Sequence, residues 1–311
     1  SRRAGGRNSD LGLFVENDWT IGPLVLTAGA RADRWTIRDG FYREFDANGA
    51  LTQDSQFANR SGWDASFRGG AVFDAGNGLS LRAAGYTGIR LPTLNELYRP
   101  FVVFPVVTQA NESLQNEESE GYEAGIDYSP SETLSFSVTA FDNKVKNAIA
   151  NVTTGPNLRQ RRNLDAIRAR GLELGAAAQI GTIFVNASLA LTDAEVEASG
   201  ISATLDGMRP SHVPKVAASG TLAWRPGAGW NFAATVRHTG KEFEDDLQTD
   251  VLPAATTLGA YAEVPIGQGF SVILRGENLA NERIVTRNQG GSIDLGVPRT
   301  LWAGVKMRIG R

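Results

Sequence analysis

Apolar and polar residues alternate along most of this chain with a period of two, the pattern of strands that present one apolar and one polar face. The cleanest run sets Leu134, Phe136, Val138 and Ala140 against Ser135, Ser137 and Thr139. The series opens with Leu11, Leu13, Val15 and Trp19 opposite Glu16 and Asp18. It continues with Leu24, Leu26, Ala28, Ala30 and Ala32 opposite Thr27, Gly29, Arg31 and Asp33. Later runs carry Leu172, Leu174, Ala176 and Ala178, then Ile183, Val185, Ala187, Leu189 and Leu191. The last holds Leu301, Ala303, Val305, Met307 and Ile309. Counting runs bounded by turn residues gives about thirteen strands.

The connections alternate between short and long. Gly22-Pro23, Ala75 to Gly78, Ser129 to Glu132, Gly181, Pro226 to Gly229 and Pro265 to Gly269 are tight turns. Between them lie long polar segments, near residues 36–61, 92–117, 144–163, through Pro210, 242–250 and 287–295. Strict alternation puts every short turn at one end of a sheet and every long loop at the other, the asymmetry of an outer-membrane barrel. The polar face carries Glu16, Arg31, Asp33, Arg68, Arg82, Glu123, Asp127, Glu173, Arg237, Arg275, Glu277, Lys306 and Arg308. A soluble meander needs a second layer over its apolar face, and no helix-period segment supplies one. A barrel satisfies both faces at once, lipid outside and a wet lumen inside. Phe73, Tyr128, Trp224, Trp230 and Phe270, near the short turns, fit an interfacial girdle.

Composition adds three points. The 35 glycines exceed the ordinary share of about 7% and suit curved sheet. Cysteine is absent, which removes disulfides and thiolate metal sites. A net charge of −3 gives no ground for a nucleic-acid partner. The longest apolar stretch, Phe101 to Val107, is broken by Pro105 and far too short for a membrane helix. Residues 1–10 are polar and read as the remnant of an extracellular loop, with residues 11–311 the barrel portion proper, so the chain reads as a piece of something longer.

Chemistry-bearing residues are sparse. His212 and His238 sit in no metal-ligand spacing and beside no candidate nucleophile, so neither an enzyme, a metal site nor a cofactor is expected. Glu242, Glu244, Asp245, Asp246 and Asp250 make an acidic loop that reads as a solvated charge run, with calcium binding as the alternative. Arg159, Arg161, Arg162, Arg168 and Arg170 form a basic cluster, a solvated loop end or a contact for an anionic ligand or lipid phosphate.

One stretch is specific enough to compare with a known family. Gly88, Arg90, Pro92, Thr93, Leu94, Asn95, Glu96, Leu97 and Tyr98 are followed by Asn111, Leu114 and Glu117, and then by Glu123 and Gly125. Ala140 to Asn143 with Ala148-Ile149, Asn163 with Gly171-Leu172-Glu173, Gly276-Glu277-Asn278-Leu279 and Gly296, Pro298, Arg299 and Thr300 continue in the same order. Together they resemble the barrel of TonB-dependent outer-membrane receptors, from about Leu11 onward. Departures are Leu91 before Pro92-Thr93, Glu112 and Asn116 at two proline positions, and a C-terminus without the usual aromatic.

The resemblance implies an all-β antiparallel transmembrane barrel, these strands being the C-terminal part of a twenty-two-stranded one. It implies a structural role for Arg90, Pro92, Asn95, Glu96, Tyr98, Glu123, Gly125, Glu173, Asn278, Pro298 and Arg299. It further implies uptake of a ferric siderophore, cobalamin or a similar bulky ligand, powered by TonB–ExbB–ExbD through an N-terminal plug that this chain lacks. Outer-membrane lipid, lipopolysaccharide and the barrel-assembly machinery are the other implied partners. Ligand contacts are expected on residues 91–117, at Tyr98, Arg99 and Phe101, and on residues 145–163, at Arg159, Arg161 and Arg162. A complete smaller barrel, acting as a passive channel or an autotransporter translocator, is the alternative.

Overall fold

The computed structural model describes residues 1–267 and 269–308. Thirteen strands follow one another as a single antiparallel meander, each paired to the next. They are β1 (Arg2–Ile21), β2 (Leu24–Phe45), β3 (Arg60–Gly76), β4 (Leu79–Arg90), β5 (Glu117–Ser131) and β6 (Leu134–Lys146). There follow β7 (Ala166–Ile180), β8 (Ile183–Glu197), β9 (Val216–Gly227) and β10 (Trp230–Thr239). The sheet ends with β11 (Ala255–Gly267), β12 (Phe270–Glu277) and β13 (Thr300–Met307). Among the described residues β1 and β13 do not pair with each other, so these strands do not close on themselves. Ile309 and Gln268, expected in the last strand and the last short turn, lie outside the described residues.

Register keeps the two faces separate across the whole sheet. One row runs Leu81, Ile126, Val138, Leu174, Leu189, Ala218 and His238 through consecutive partners. The neighbouring row on the other face runs Arg82, Gly125, Thr139, Glu173, Ala190, Ala217 and Thr239. A slip of one residue anywhere would put charge on the apolar face, so alternation fixes the register. Among the described residues no second layer covers the apolar face: Leu13 is 71% exposed and Val305 69%. On the polar face charges meet across strands, as in Arg68 with Glu16 and Lys306 with Glu263 at 3.0 Å, and along one strand, as in Arg31 with Asp33 at 2.7 Å.

Short turns close one end. Gly22, Asn77, Gly181 and Ala228 take positive φ there. At Gly78 (φ 77°) a Cβ would also collide with the Ser129 carbonyl. At the other end the strands outrun the apolar band. Along β7 the outward positions change from Leu172 to Arg170 and Arg168, and those two guanidiniums face Glu195 and Asp142. Leu172 to Ile180 spans nine residues, about 30 Å of strand. Tilted by about 40° it projects to about 23 Å, near the ~25 Å apolar band of an outer-membrane barrel.

Three expectations need correcting at the long-loop end. Residues 2–10 are not loop but the start of β1, paired with Trp35 to Glu44. The polar segment 36–61 is largely strand: β2 runs on to Phe45 and pairs with Leu51–Phe57. Segment 144–163 is mostly strand too, β6 reaching Lys146 and a hairpin following from Ile149–Gly155 and Leu158–Asn163. Polar alternation reads as loop when neither face is lipid, although the strand ladder continues. The core sits here rather than within the sheet. Trp35, Ile37, Leu97, Tyr98 and Leu114 form one buried cluster, and Ala148, Val152, Leu164, Val196 and Leu205 a second.

Candidate ligand site at the loop end

The stretch after β4 folds as a knot. Pro92 closes the strand, and Thr93 caps a short helix, α1 (Leu94–Tyr98). The Thr93 hydroxyl accepts the Glu96 amide at 3.2 Å while the Glu96 carboxylate accepts the Thr93 amide at 2.7 Å, a reciprocal capping box. Arg90 reaches Glu96 at 3.0 Å and also pairs with Glu117, whose other oxygen accepts the Ile149 amide at 2.6 Å. Glu117 holds the Arg90 guanidinium above its ordinary pKa. Burial pushes Glu96 up, but the bonds from Arg90 and Thr93 outweigh it and leave the carboxyl below the usual range.

Tyr98 is 2% exposed, stacked on Phe57 with ring centroids 4.7 Å apart and lying against Gly40, where any Cβ would meet its ring. Arg161, from the neighbouring hairpin, donates to the Asn95 carbonyl and, at 3.0 Å, to the Arg99 carbonyl. Its guanidinium also sits 5.0 Å from the Phe101 ring, and burial lowers its pKa. Asn163 spans the two segments, accepting from the Gln115 amide at 2.9 Å and donating to the Asn147 carbonyl at 2.6 Å. Loops 91–117 and 147–163 are therefore one cross-linked body.

The remaining motif residues lie on the polar face of the sheet or in the last connection. Gly125 faces Arg82, and a Cβ there would strike the guanidinium that bridges Asp127 at 3.0 Å and approaches Glu123 at 3.7 Å. Glu173 lies on the polar face opposite Thr139. Asn278 is buried, donating to Glu282 and Val297 carbonyls at 2.8 and 3.1 Å. The Pro298 carbonyl accepts the Thr300 hydroxyl at 2.9 Å, and the Arg299 amide donates to Asn281 at 3.1 Å, so this turn enters β13 fixed.

Above the knot lies a cavity of about 450 Å³, within the range of about 300–1,000 Å³ typical of small-molecule sites. Five outer segments supply its wall: Phe101 and Val106, Ile149 and Arg159, Leu205 with Arg209 and His212, Glu244 and Asp246, and Arg287 with Gln289. Of the six residues expected to touch ligand, Phe101 and Arg159 line this cavity. Tyr98, Arg99, Arg161 and Arg162 do not: Tyr98 is core, and Arg161 and the Arg99 carbonyl are spent on each other. Arg168 and Arg170 belong to the outer strand wall, away from the arginines of the hairpin. Arg209, His212, Arg287 and Gln289 were not foreseen, since only folding brings their loops together. A larger hollow of about 610 Å³ lies against the apolar face, with Leu222, Trp224, Leu274 and Leu301 in its lining, and that makes it wall rather than site.

The acidic loop is a set of ties. Asp245 accepts the Asp250 amide at 2.7 Å and the Thr249 hydroxyl at 2.8 Å, and these bonds outweigh burial to hold its pKa below the usual range. Asp246 takes the Thr153 amide and hydroxyl at 2.7 and 2.6 Å; Asp250 takes the Gly290 amide at 3.0 Å. Among the described residues no three carboxylates or imidazoles converge on a metal-sized point. The His212 amide donates to the Phe243 carbonyl at 2.9 Å, and its ring stands 4.0 Å from Glu244.

An antiparallel wall with one apolar and one charged face, capped at one end by cross-linked loops around a cavity, is the architecture of a membrane-barrel receptor. Residues 1–279 match the family described as TonB dependent receptor-like, beta-barrel, and the chain belongs to that family. It is 25% identical over 285 residues to a ferrioxamine receptor of Yersinia enterocolitica, covering 90% of this chain and 37% of that protein. The ferric yersiniabactin uptake receptor FyuA of Yersinia pestis superposes with a TM-score of 0.78 at 15% identity, over 96% of this chain and 45% of that one. The siderophore receptor PiuA of Acinetobacter baumannii does so with a TM-score of 0.75 at 16% identity, over 96% and 43%. The chain thus spans less than half the length of these relatives, and the solved structures share its fold.

Proposed function

We propose that this chain is part of the wall and the outer loops of an outer-membrane receptor that takes up a ferric siderophore or a comparable bulky chelate. The observation that carries the reading is the convergence of five outer segments on one cavity at the loop end of a two-faced strand wall. Ligand would be captured there and passed inward along the charged face, with TonB–ExbB–ExbD supplying work through a plug domain elsewhere in the longer protein. Outer-membrane lipid and lipopolysaccharide would cover the apolar face, and the barrel-assembly machinery would insert it. The family membership and the siderophore-related relatives support the cargo class. The smaller passive barrel has no specific observation in its favour.

The test is uptake of radiolabelled ferric chelates by cells with and without the intact gene, in backgrounds with and without TonB. Uptake that needs both is expected. Uptake of the same chelates that needs the gene and not TonB would replace the reading with passive permeation.

A further inference from the structure

Above the apolar band the outward face of the sheet carries charge, and two sectors carry it differently. On β6 and β7 each cation has a carboxylate: Lys144 meets Glu197 at 2.6 Å, Lys146 meets Glu120 at 2.9 Å, Arg170 meets Glu195 at 3.8 Å, and Arg168 pairs with Asp142. That sector neutralises itself. On β1 and β2 the same level holds Arg3, Arg7, Arg34, Arg38 and Arg43, against only Asp39 and Asp54 on that face. Five arginines against two carboxylates leave a basic patch.

The backbone sets which way these arginines point. Arg34 continues the outward row of Ala28, Ala30 and Ala32, and Arg38, further along that row, lies opposite Arg7. Higher up, Ala4 and Tyr42 pack inward, and a Cβ at Gly6 or Gly40 would meet Leu94 or Tyr98. Arg3 and Arg43, in the adjoining positions, are cross-strand partners on the opposite, outward face. Arg43 has Asp54 at 3.1 Å and Arg7 has Asp39 at 3.6 Å. Arg34 donates to the Gly62 carbonyl at 3.0 Å and the Ser61 hydroxyl at 3.3 Å. Arg3 and Arg38 are exposed and make no side-chain hydrogen bond or ion pair among the described residues. Three of the guanidiniums lie over rings: Arg3 over Phe45 at 5.5 Å, Arg43 over Phe41 at 5.4 Å and Arg34 over Trp63 at 5.8 Å. Stacking orders the planar fork, so less freedom is lost when it meets an oxyanion.

Resting on the outer-membrane placement above, we propose that this patch docks the phosphorylated sugar head of lipopolysaccharide, whose acyl chains lie on the apolar wall directly beneath. Trp63, 65% exposed, marks the level where chains give way to heads. From Arg34 to Arg43 β2 climbs about 30 Å of strand, or about 23 Å along the membrane normal. The arginines therefore meet anionic groups at several depths of one tall head. A phospholipid head carries its phosphate in a single plane and reaches only Arg34. The paired sector on β6 and β7 offers lipid no comparable preference.

The experiment measures binding of fluorescent lipopolysaccharide to the full-length receptor in detergent, beside enzymatically dephosphorylated lipopolysaccharide and phosphatidylglycerol. The variants are Arg3→Gln with Arg38→Gln, Arg3→Lys with Arg38→Lys and, as a control that conserves net charge, Arg168→Gln with Asp142→Asn. Folding of each is checked by heat-modifiable migration on gels. The glutamine pair is expected to raise Kd for lipopolysaccharide about tenfold or more, the loss of two surface cations. The lysine pair should stay within about threefold and the control pair within about twofold of the parent, since the charge is kept. Dephosphorylated lipopolysaccharide should bind the parent about as weakly as the intact form binds the glutamine pair, and phosphatidylglycerol should not register that pair. Unchanged lipopolysaccharide affinity in the glutamine pair, an equal loss in the control pair, or an equal loss for phosphatidylglycerol would overturn the proposal. Chelate uptake is scored in its own assay, so failure here leaves the receptor reading standing, and failure there leaves the patch standing.

Discussion

Replacing Tyr98 by alanine separates a packing role from a ligand contact. The ring is 2% exposed and stacks on Phe57 at an interplanar angle of 15°, with Ile37, Leu97 and Leu114 in the same cluster. Among the described residues its hydroxyl makes no hydrogen bond, so the side chain acts here as an aromatic hydrocarbon. Removing a buried ring of this kind costs about 3–5 kcal/mol, part of it the cavity left behind. Loss of the stacked pair falls within that figure. At about 1.4 kcal/mol per factor of ten, local opening of the loop knot becomes more frequent by two to four powers of ten. Hydrogen exchange followed by mass spectrometry, on the receptor in nanodiscs, reads this at the amides of residues 93–98 and 111–117. Strand amides in the membrane band should be unchanged, because the lesion lies outside the sheet. Tyr98→Phe should match the parent protein. A Tyr98→Ala variant as protected as the parent, or a Tyr98→Phe variant as damaged as Tyr98→Ala, would refute the packing argument.

Other outcomes follow from the same geometry. Arg161→Ala removes the donor that bridges the Asn95 and Arg99 carbonyls, and should lower protection of α1 by at least about 1.5 kcal/mol. Thr93→Ala breaks the capping box and should cost about 1 kcal/mol in the same assay, with no change in the strand wall. Leu174→Arg, on the apolar face, should destabilise the folded barrel by about 2–4 kcal/mol in urea titrations, whereas Ser188→Arg on the polar face should stay below about 1. Glu96 and Asp245 both have pKa values lowered by folding, so their contribution is complete above about pH 4.5 and is lost as pH falls through their depressed values. Acid titration followed by loop proteolysis should show loosening only below about pH 4; loosening on raising the pH toward 7 would contradict the sign.

How far the sequence could be read depended on what each residue faces. Leu172, Leu174 and Ala176 alternate because one neighbour is lipid and the other lumen, so sheet, register and polarity were all visible. Residues 2–10 and 36–45 continue the same ladder beyond the lipid, where Ile37 is buried in the loop core instead of a membrane, so the long apolar runs vanish although the strands persist. Tyr98 and Arg161 were legible as motif and charge but not as burial, because their partners Phe57, Asn95 and Arg99 come from segments that only tertiary contact aligns. The acidic run read as solvated charge, and the structure ties Glu244, Asp245, Asp246 and Asp250 to amides or hydroxyls within or across loops. Arg209 and Arg287 carried no local signal. Their loops lie nearly eighty residues apart and meet over one cavity because the meander brings every second connection to the same end.

Membrane placement is tested most directly by single cysteines introduced into this chain, which has none of its own. Phe104, 87% exposed in an outer loop, and Asn77, in a short turn, would each be replaced by cysteine, with Leu174 as the lipid-facing control. On intact cells a membrane-impermeant maleimide is expected to label Phe104→Cys at once and Asn77→Cys only after the outer membrane is permeabilised. Leu174→Cys should stay dark to that reagent and react with a lipid-soluble one. Labelling of Asn77→Cys and not Phe104→Cys on intact cells, or aqueous labelling of Leu174→Cys, would contradict a wall whose long loops face the outside and collect ligand.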